Sequence, residues 1–165
     1  HREPASNSMR LVLLVAFHFP PIQGSSGVHR TLAFARYLYQ YGWQATVLAT
    51  HSRAFPSALD ANLEMIPAHV EVVRAAAWDA ARHFSIAGRY PDLLARPDRW
   101  ASWIPFGVMA GMRELRRKPY DALFSTFPIS SAHVIGRALS RRSGLPWIAG
   151  LRGPMACDTK SPVPG

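Results

Sequence analysis

Cysteine is almost missing from this sequence: Cys157 stands alone among 165 residues. No internal disulfide can form, which sets aside the disulfide-stapled secreted scaffolds and suits a reducing compartment, so a cytoplasmic location is expected. Long apolar runs are missing as well. The longest, Leu11 to Phe17, falls far short of the roughly 20 residues that a membrane-spanning helix needs. It leads straight into patterned sequence, where a signal peptide would show a cleavage site. Acidic residues are scarce, 10 Asp and Glu against 19 Lys and Arg, leaving a formal net charge of +9. That surplus favours anionic partners (nucleic acid, lipid headgroups, phosphorylated small molecules) without choosing among them, and it equally describes a basic, solvated surface.

Several chemistry-bearing motifs are absent too. There is no Gly-Lys-Ser/Thr phosphate loop and no His-Glu-x-x-His, and the seven histidines form no compact cluster with acidic residues, so no metal is expected. Neither a repeat of solenoid period nor a low-complexity block occurs. Composition is otherwise that of a globular domain, 48% hydrophobic and 18% charged, and a chain of this length buries roughly 68–70% of its unfolded surface. Residues 1–8, "HREPASNS", carry no periodicity and read as a leader or tag remnant. The folded unit is expected over 9–155, with 156–165 a tail or the start of a linker.

Along that unit, strand and helix signals alternate. Leu11–Phe17 is the near-continuous apolar run of a parallel strand buried on both faces. Gly27–Tyr41 places Val28, Leu32, Ala35 and Leu38 or Tyr39 on one helical stripe, with Gly42 to stop it. Trp43–Thr50 and Val70–Ala75 read as the next two strands, and 76–103 as short helices and loops. "ASWIPFGVMAGMRELRRK" restores helical spacing through Trp103, Phe106, Met109 or Ala110, and Arg113, with Pro105 in the first turn. Asp121–Phe127 is a fourth strand, Ile129–Arg142 a helix capped by Ser130 or Ser131, and Pro146–Gly150 a last short strand. The fold class this predicts is α/β: a Rossmann-like parallel sheet with helices on both faces.

In such a sheet, ligands bind beyond the carboxyl ends of the strands. The first of those ends carries Gly24, Ser25, Ser26 and Gly27 just ahead of a helix. Glycine lets backbone approach a ligand closely and helix N-terminal amides attract anions, so this segment suits a phosphate or a sugar hydroxyl. Its spacing is not the dinucleotide fingerprint, and no acidic residue closes the second strand; a turn with no ligand fits it too. Arg30, near the same terminus, would clamp a phosphate or pair with a surface carboxylate. His18 follows the first strand and His133 follows the fourth; each suits a ligand contact or a structural role. Ser130, Ser131 and His133 lack the elbow of a serine nucleophile. "RELRRKP", Arg113–Pro119, reads as a solvated basic helix end or as a headgroup-binding patch. Aromatics and arginines between Trp78 and Phe106 suit either packing or a membrane interface.

The stretch "FHFPPIQGSSGVHRTLAFARYLYQYGWQATVLAT" resembles the opening of family 4 glycosyltransferases of the GT-B fold, particularly bacterial polysaccharide-synthesis members. The matching positions are Pro20, Pro21, Gly24, Gly27, Arg30, Tyr41, Gly42 and Trp43. The resemblance continues through "YDALFSTFPISSAHVIGRAL" at Asp121, Thr126, Pro128, Ser131 and His133, and ends in "GLPWIAGLRGPM", where Arg152 and Pro154 match. Gly150 and Gly153 stand where that family usually has acidic residues, and Met155 where it has tryptophan.

The resemblance implies the N-terminal, acceptor-side half of a two-domain retaining enzyme, inactive without its C-terminal donor domain and needing no cofactor or metal. Its partners would be a nucleotide-sugar donor, a saccharide or lipid-linked acceptor, and the inner face of the membrane as a peripheral contact, but no nucleic acid. Gly24, Ser25, Ser26, Gly27 and Arg30 would then meet the donor's phosphates, and His18, His133 and Arg152 the acceptor or the sugar; no catalytic residue is assigned. The alternative is a non-catalytic Rossmann-like module that binds an anionic ligand. Nucleic-acid binding rests on charge alone and lacks a reader motif.

Overall fold

Eight elements alternate along the computed structural model, which describes residues 9–20, 26–51, 66–77 and 100–151. They are β1 (Arg10–Val15), α1 (Ser26–Gln40), β2 (Trp43–Thr50), β3 (Glu71–Ala75), α2 (Trp103–Arg117), β4 (Ala122–Thr126), α3 (Ser130–Ser143) and β5 (Trp147–Gly150). The five strands form one parallel sheet in the order β3-β2-β1-β4-β5. This is the expected Rossmann-like α/β architecture.

Burial on both sides explains why β1 has no polar alternation. Leu13 and Val15 face one hydrophobic cluster together with Trp103, Leu123, Ile135 and Leu139 from α2, β4 and α3. Val12 and Leu14 face the other, with Val28, Leu32 and Ala35 of α1 and Val47 of β2. Helix α1 therefore covers one face of the sheet, and α2 and α3 the other. Gly42, at φ +79°, ends α1, and Gly144, at φ +75°, ends α3; both take the left-handed conformation in which other residues are strained.

Element boundaries fall within two residues of those expected; β1 stops at Val15, although Ala16 still donates to the Leu48 carbonyl at 3.0 Å. Two local expectations are corrected. The inward stripe of α2 is Trp103, Gly107, Gly111 and Glu114, while Met109 is 65% exposed and Arg113 points to solvent. Glycines carry no apolar signal, but a Cβ on Gly107 would stand 2.5 Å from Ile135 Cδ1, and one on Gly111 2.6 Å from Leu139 Cδ1. The bare backbone is what lets α2 and α3 close together. Second, the N-cap of α3 is Ile129 rather than a serine, and Ser131 lies on the buried face. Most of the irregular stretch expected over 76–103 lies outside the described residues. Among those described, no helix is long and apolar enough to cross a membrane.

Candidate functional site

Because the strands are parallel, all their carboxyl ends lie on one edge. The order reverses between β1 and β4, since β1 leads outward to β2 and β3, and β4 to β5. A crevice opens at such a switch point. It is bordered by the residues following β1, by the N-terminus of α1, and by the β4–α3 junction.

The β1 side is fixed from below and from the flank. Phe17 is buried, its ring 4.7 Å from that of Trp100 and 5.2 Å from that of Trp103. The His18 ring stands edge-on to it at 5.1 Å, half-buried on the rim. Burial holds the His18 pKa below its ordinary value, so the ring is neutral near pH 7. On the flank, Thr50 Oγ1 donates to the Phe17 carbonyl at 3.2 Å. Arg74 Nη1 donates to the Thr50 carbonyl at 3.1 Å, and Nη2 to the Pro20 carbonyl. Arg74 thus pins the chain leaving β1 across the end of β2. Burial lowers its pKa as well, yet a guanidinium remains a cation. Sequence reading passed over Arg74; a basic residue inside the strand run "VEVVRA" was the available signal.

The β4 side carries a three-residue relay. Trp147 Nε1 lies 2.8 Å from Ser125 Oγ, which lies 2.7 Å from His133 Nδ1. The indole can only donate, so the serine oxygen accepts from it. The serine's own hydrogen is suited to His133 Nδ1, which accepts it in the Nε2–H tautomer. A neutral imidazole arranged in this way carries its proton on Nε2. Burial favours the neutral ring by lowering the His133 pKa. Nε2 itself is buried and has no hydrogen-bond partner among the described residues. Gly136 makes room for the relay: a Cβ there would lie 2.5 Å from Trp147 Nε1 and 3.2 Å from Ser125 Oγ. Neither Ser125 nor Trp147 was foreseen, because the relay joins β4, α3 and β5.

The candidate residues distribute as follows. His18 and His133 flank the switch point, after β1 and in the first turn of α3. Arg30 is exposed in the second turn of α1, and Ser26 and Gly27 form the backbone that opens that helix. Gly24, Ser25, Arg152 and Gly153 lie outside the described residues. Gly150 ends β5, and a Cβ on it would meet Phe124 Cζ at 2.8 Å and the Ser125 carbonyl at 3.3 Å, so an acidic side chain would have to displace that ring. Asp121, matched in the glycosyltransferase pattern, sits at the opposite edge, where its Oδ2 accepts from the Leu11 amide at 2.8 Å. Among the described residues, the strand-end rim (16–20, 26–30, 50–51, 75–77 and 126–133) has no carboxylate and holds His18, His29, His51 and His133. No group of three or more His, Cys, Asp or Glu able to hold a metal occurs among them. A rim of this kind can donate hydrogen bonds and accept anions.

No family profile and no curated protein matches the chain. Solved structures do. The C-terminal domain of PF1911 hydrogenase from Pyrococcus furiosus aligns with a TM-score of 0.52 and 13% identity, covering 91% of this chain and 96% of that one. UGT2 of Phytolacca americana, complexed with UDP-2fluoro-glucose and pterostilbene, aligns with a TM-score of 0.58 and 14% identity over 86% of this chain. The match spans 30% of that chain's length. Apo UGT2 aligns at 0.56 and 15% identity. Likeness at such identities is one of fold, and two proteins so differently named share it. The chain has the Rossmann-like α/β fold that also makes up part of a GT-B glycosyltransferase.

Proposed function

We propose that this chain is the acceptor-side domain of a retaining glycosyltransferase of family 4 type, which moves a sugar from a nucleotide-sugar to a saccharide or lipid-linked acceptor in polysaccharide synthesis. The observation that carries this reading is the switch point between β1 and β4, bordered by the N-terminus of α1 and by a rim without carboxylates among its described residues. Helix α1 follows β1 and returns to start the parallel β2, so its first turn lies at the strand-end edge. The free amides of that turn, with the Gly24–Gly27 segment and Arg30, would stabilise charge on the departing diphosphate.

The roles of the other residues follow from their hydrogen-bonding capacity. His133, fixed by Ser125, offers an Nε2–H donor to a sugar or acceptor oxygen. His18, neutral on the opposite wall, offers a second imidazole, and Arg152 a charge. A C-terminal domain of the same enzyme would contribute the donor's base contacts and complete the catalytic site. No resident cofactor or metal enters the scheme, and the reaction is placed at the cytoplasmic side of a membrane.

The test is transfer by the full reading frame with a panel of nucleotide-sugars, read as nucleoside diphosphate released in the presence of acceptor. Gly24→Val or Gly27→Val should abolish release while the protein still folds, and unchanged turnover would remove the loop from the mechanism. The second reading, a binding module for an anionic ligand, is favoured by Gly150, where the family's acidic side chain would have to displace the Phe124 ring. Tight nucleotide-sugar binding with no release under any acceptor would establish that reading instead.

A further inference from the structure

The two helices on one face of the sheet run side by side and parallel, because each leads from one parallel strand to the next. Gly107 meets Ile135 and Gly111 meets Leu139, a constant offset. That offset sets Arg113 level with Arg141, and Met109 level with Arg137. Outward from the sheet, α2 exposes Met109, Arg113 and Arg116, and α3 exposes Val134, Arg137 and Arg141. Met109 is 65% exposed and Val134 39%. An open depression of about 480 Å³ lies on α3, lined by Val134, Arg137, Ala138, Arg141 and Arg142.

Among the described residues, nothing on this face offsets the charge. The one acidic residue on the two helices is Glu114, which is buried and bound to Arg117 and Tyr120. Arg117 and Lys118, which the sequence groups with Arg113 and Arg116, are turned aside onto Glu71. Arg113, Arg116, Arg137 and Arg141 form no ion pair among the described residues.

The geometry points to this α2–α3 face as a docking surface for a membrane rich in anionic phospholipid. Each arginine carries a long stem and a charged head, which suits the headgroup layer, and the apolar Met109 and Val134 between them suit its hydrocarbon boundary. What the two helices expose separates this occupant from nucleic acid. Among the described residues, neither helix exposes an aromatic side chain on which a base could stack. The inference does not depend on glycosyl transfer.

Co-sedimentation of the 165-residue chain with vesicles tests it, using phosphatidylcholine alone and mixed with phosphatidylglycerol. The mixed vesicles should pellet the protein and the neutral ones should not, with binding that weakens as salt is added. Arg137→Gln with Arg141→Gln should lower the partition coefficient by about fivefold per arginine. Arg10→Gln with Arg36→Gln removes the same charge from other surfaces and should change it little. All four positions are exposed, and thermal melts of both double variants check that each is folded at the assay temperature. Equal losses in the two double variants, or equal binding to both vesicle types, would overturn the assignment. So would tighter binding to a duplex oligonucleotide with the same dependence on Arg137 and Arg141, which would give the face to nucleic acid.

Discussion

Ser125 has more consequences than its size suggests. It is fully buried, accepts from the Trp147 indole, and hydrogen-bonds His133 Nδ1. Ser125→Ala should destabilise the chain by about 1–3 kcal/mol, since it strands the indole N–H and the imidazole together. Urea unfolding measures that cost. Nitrogen-15 NMR of the imidazoles checks the proton directly: the wild type should show His133 as the Nε2–H tautomer, and the variant a mixture. The same residue gives a pH dependence. Burial keeps the His133 pKa below the unfolded value of about 6.5, so the unfolded chain takes up a proton first as pH falls. The stability at issue is fully present above that pH and declines below it, and His18 adds to the slope in the same sense. His133→Gln should flatten the decline of melting temperature with falling pH; an unchanged slope would mean the ring titrates freely.

Between elements, the determining contacts are ones that periodicity does not register. Gly107, Gly111 and Gly136 are silent in a hydropathy pattern, yet they set how closely α2, α3 and β5 approach. Gly136→Ala gains helix propensity of at most about 1 kcal/mol. It also drives a methyl into the indole nitrogen and the serine, an overpacking that typically costs about 1–3 kcal/mol, so net destabilisation is expected in thermal melts. At the far end of α2, the Tyr120 hydroxyl bridges Thr46 Oγ1 at 2.8 Å and Glu114 Oε1 at 2.7 Å, while Arg117 spans Glu114 and Glu71. Burial raises the Glu114 pKa, but hydrogen bonds from Arg117 and Tyr120 outweigh it and leave the carboxyl below its usual range. Its contribution to stability is therefore present above the ordinary carboxyl pKa and lost as pH falls through the lowered one. Glu114→Gln should remove that part of the acid-induced loss in a melting series.

The Rossmann-like α/β fold was legible in the sequence because each described strand and helix carries its own local signal. The apolar run of β1, the Val28–Leu32–Ala35 stripe of α1 and the stop at Gly42 each act within a few residues, and together they dictate alternation and hence a parallel sheet. The histidines at the strand ends were legible for the same reason, as residues that follow a strand. What holds them was not: Arg74 reaches from β3 to Pro20, and Ser125 joins Trp147 to His133, contacts that only the closed sheet creates.

The central claim is that this edge of the sheet, at the switch between β1 and β4, receives a glycosyl diphosphate. Amide NMR of the isotope-labelled chain titrated with UDP-glucose and GDP-mannose tests it most directly. The account predicts saturable shifts confined to residues 16–20, 26–30 and 125–133, weakened by His133→Ala. Shifts absent from those segments, or confined to the arginines of α2 and α3, would contradict it.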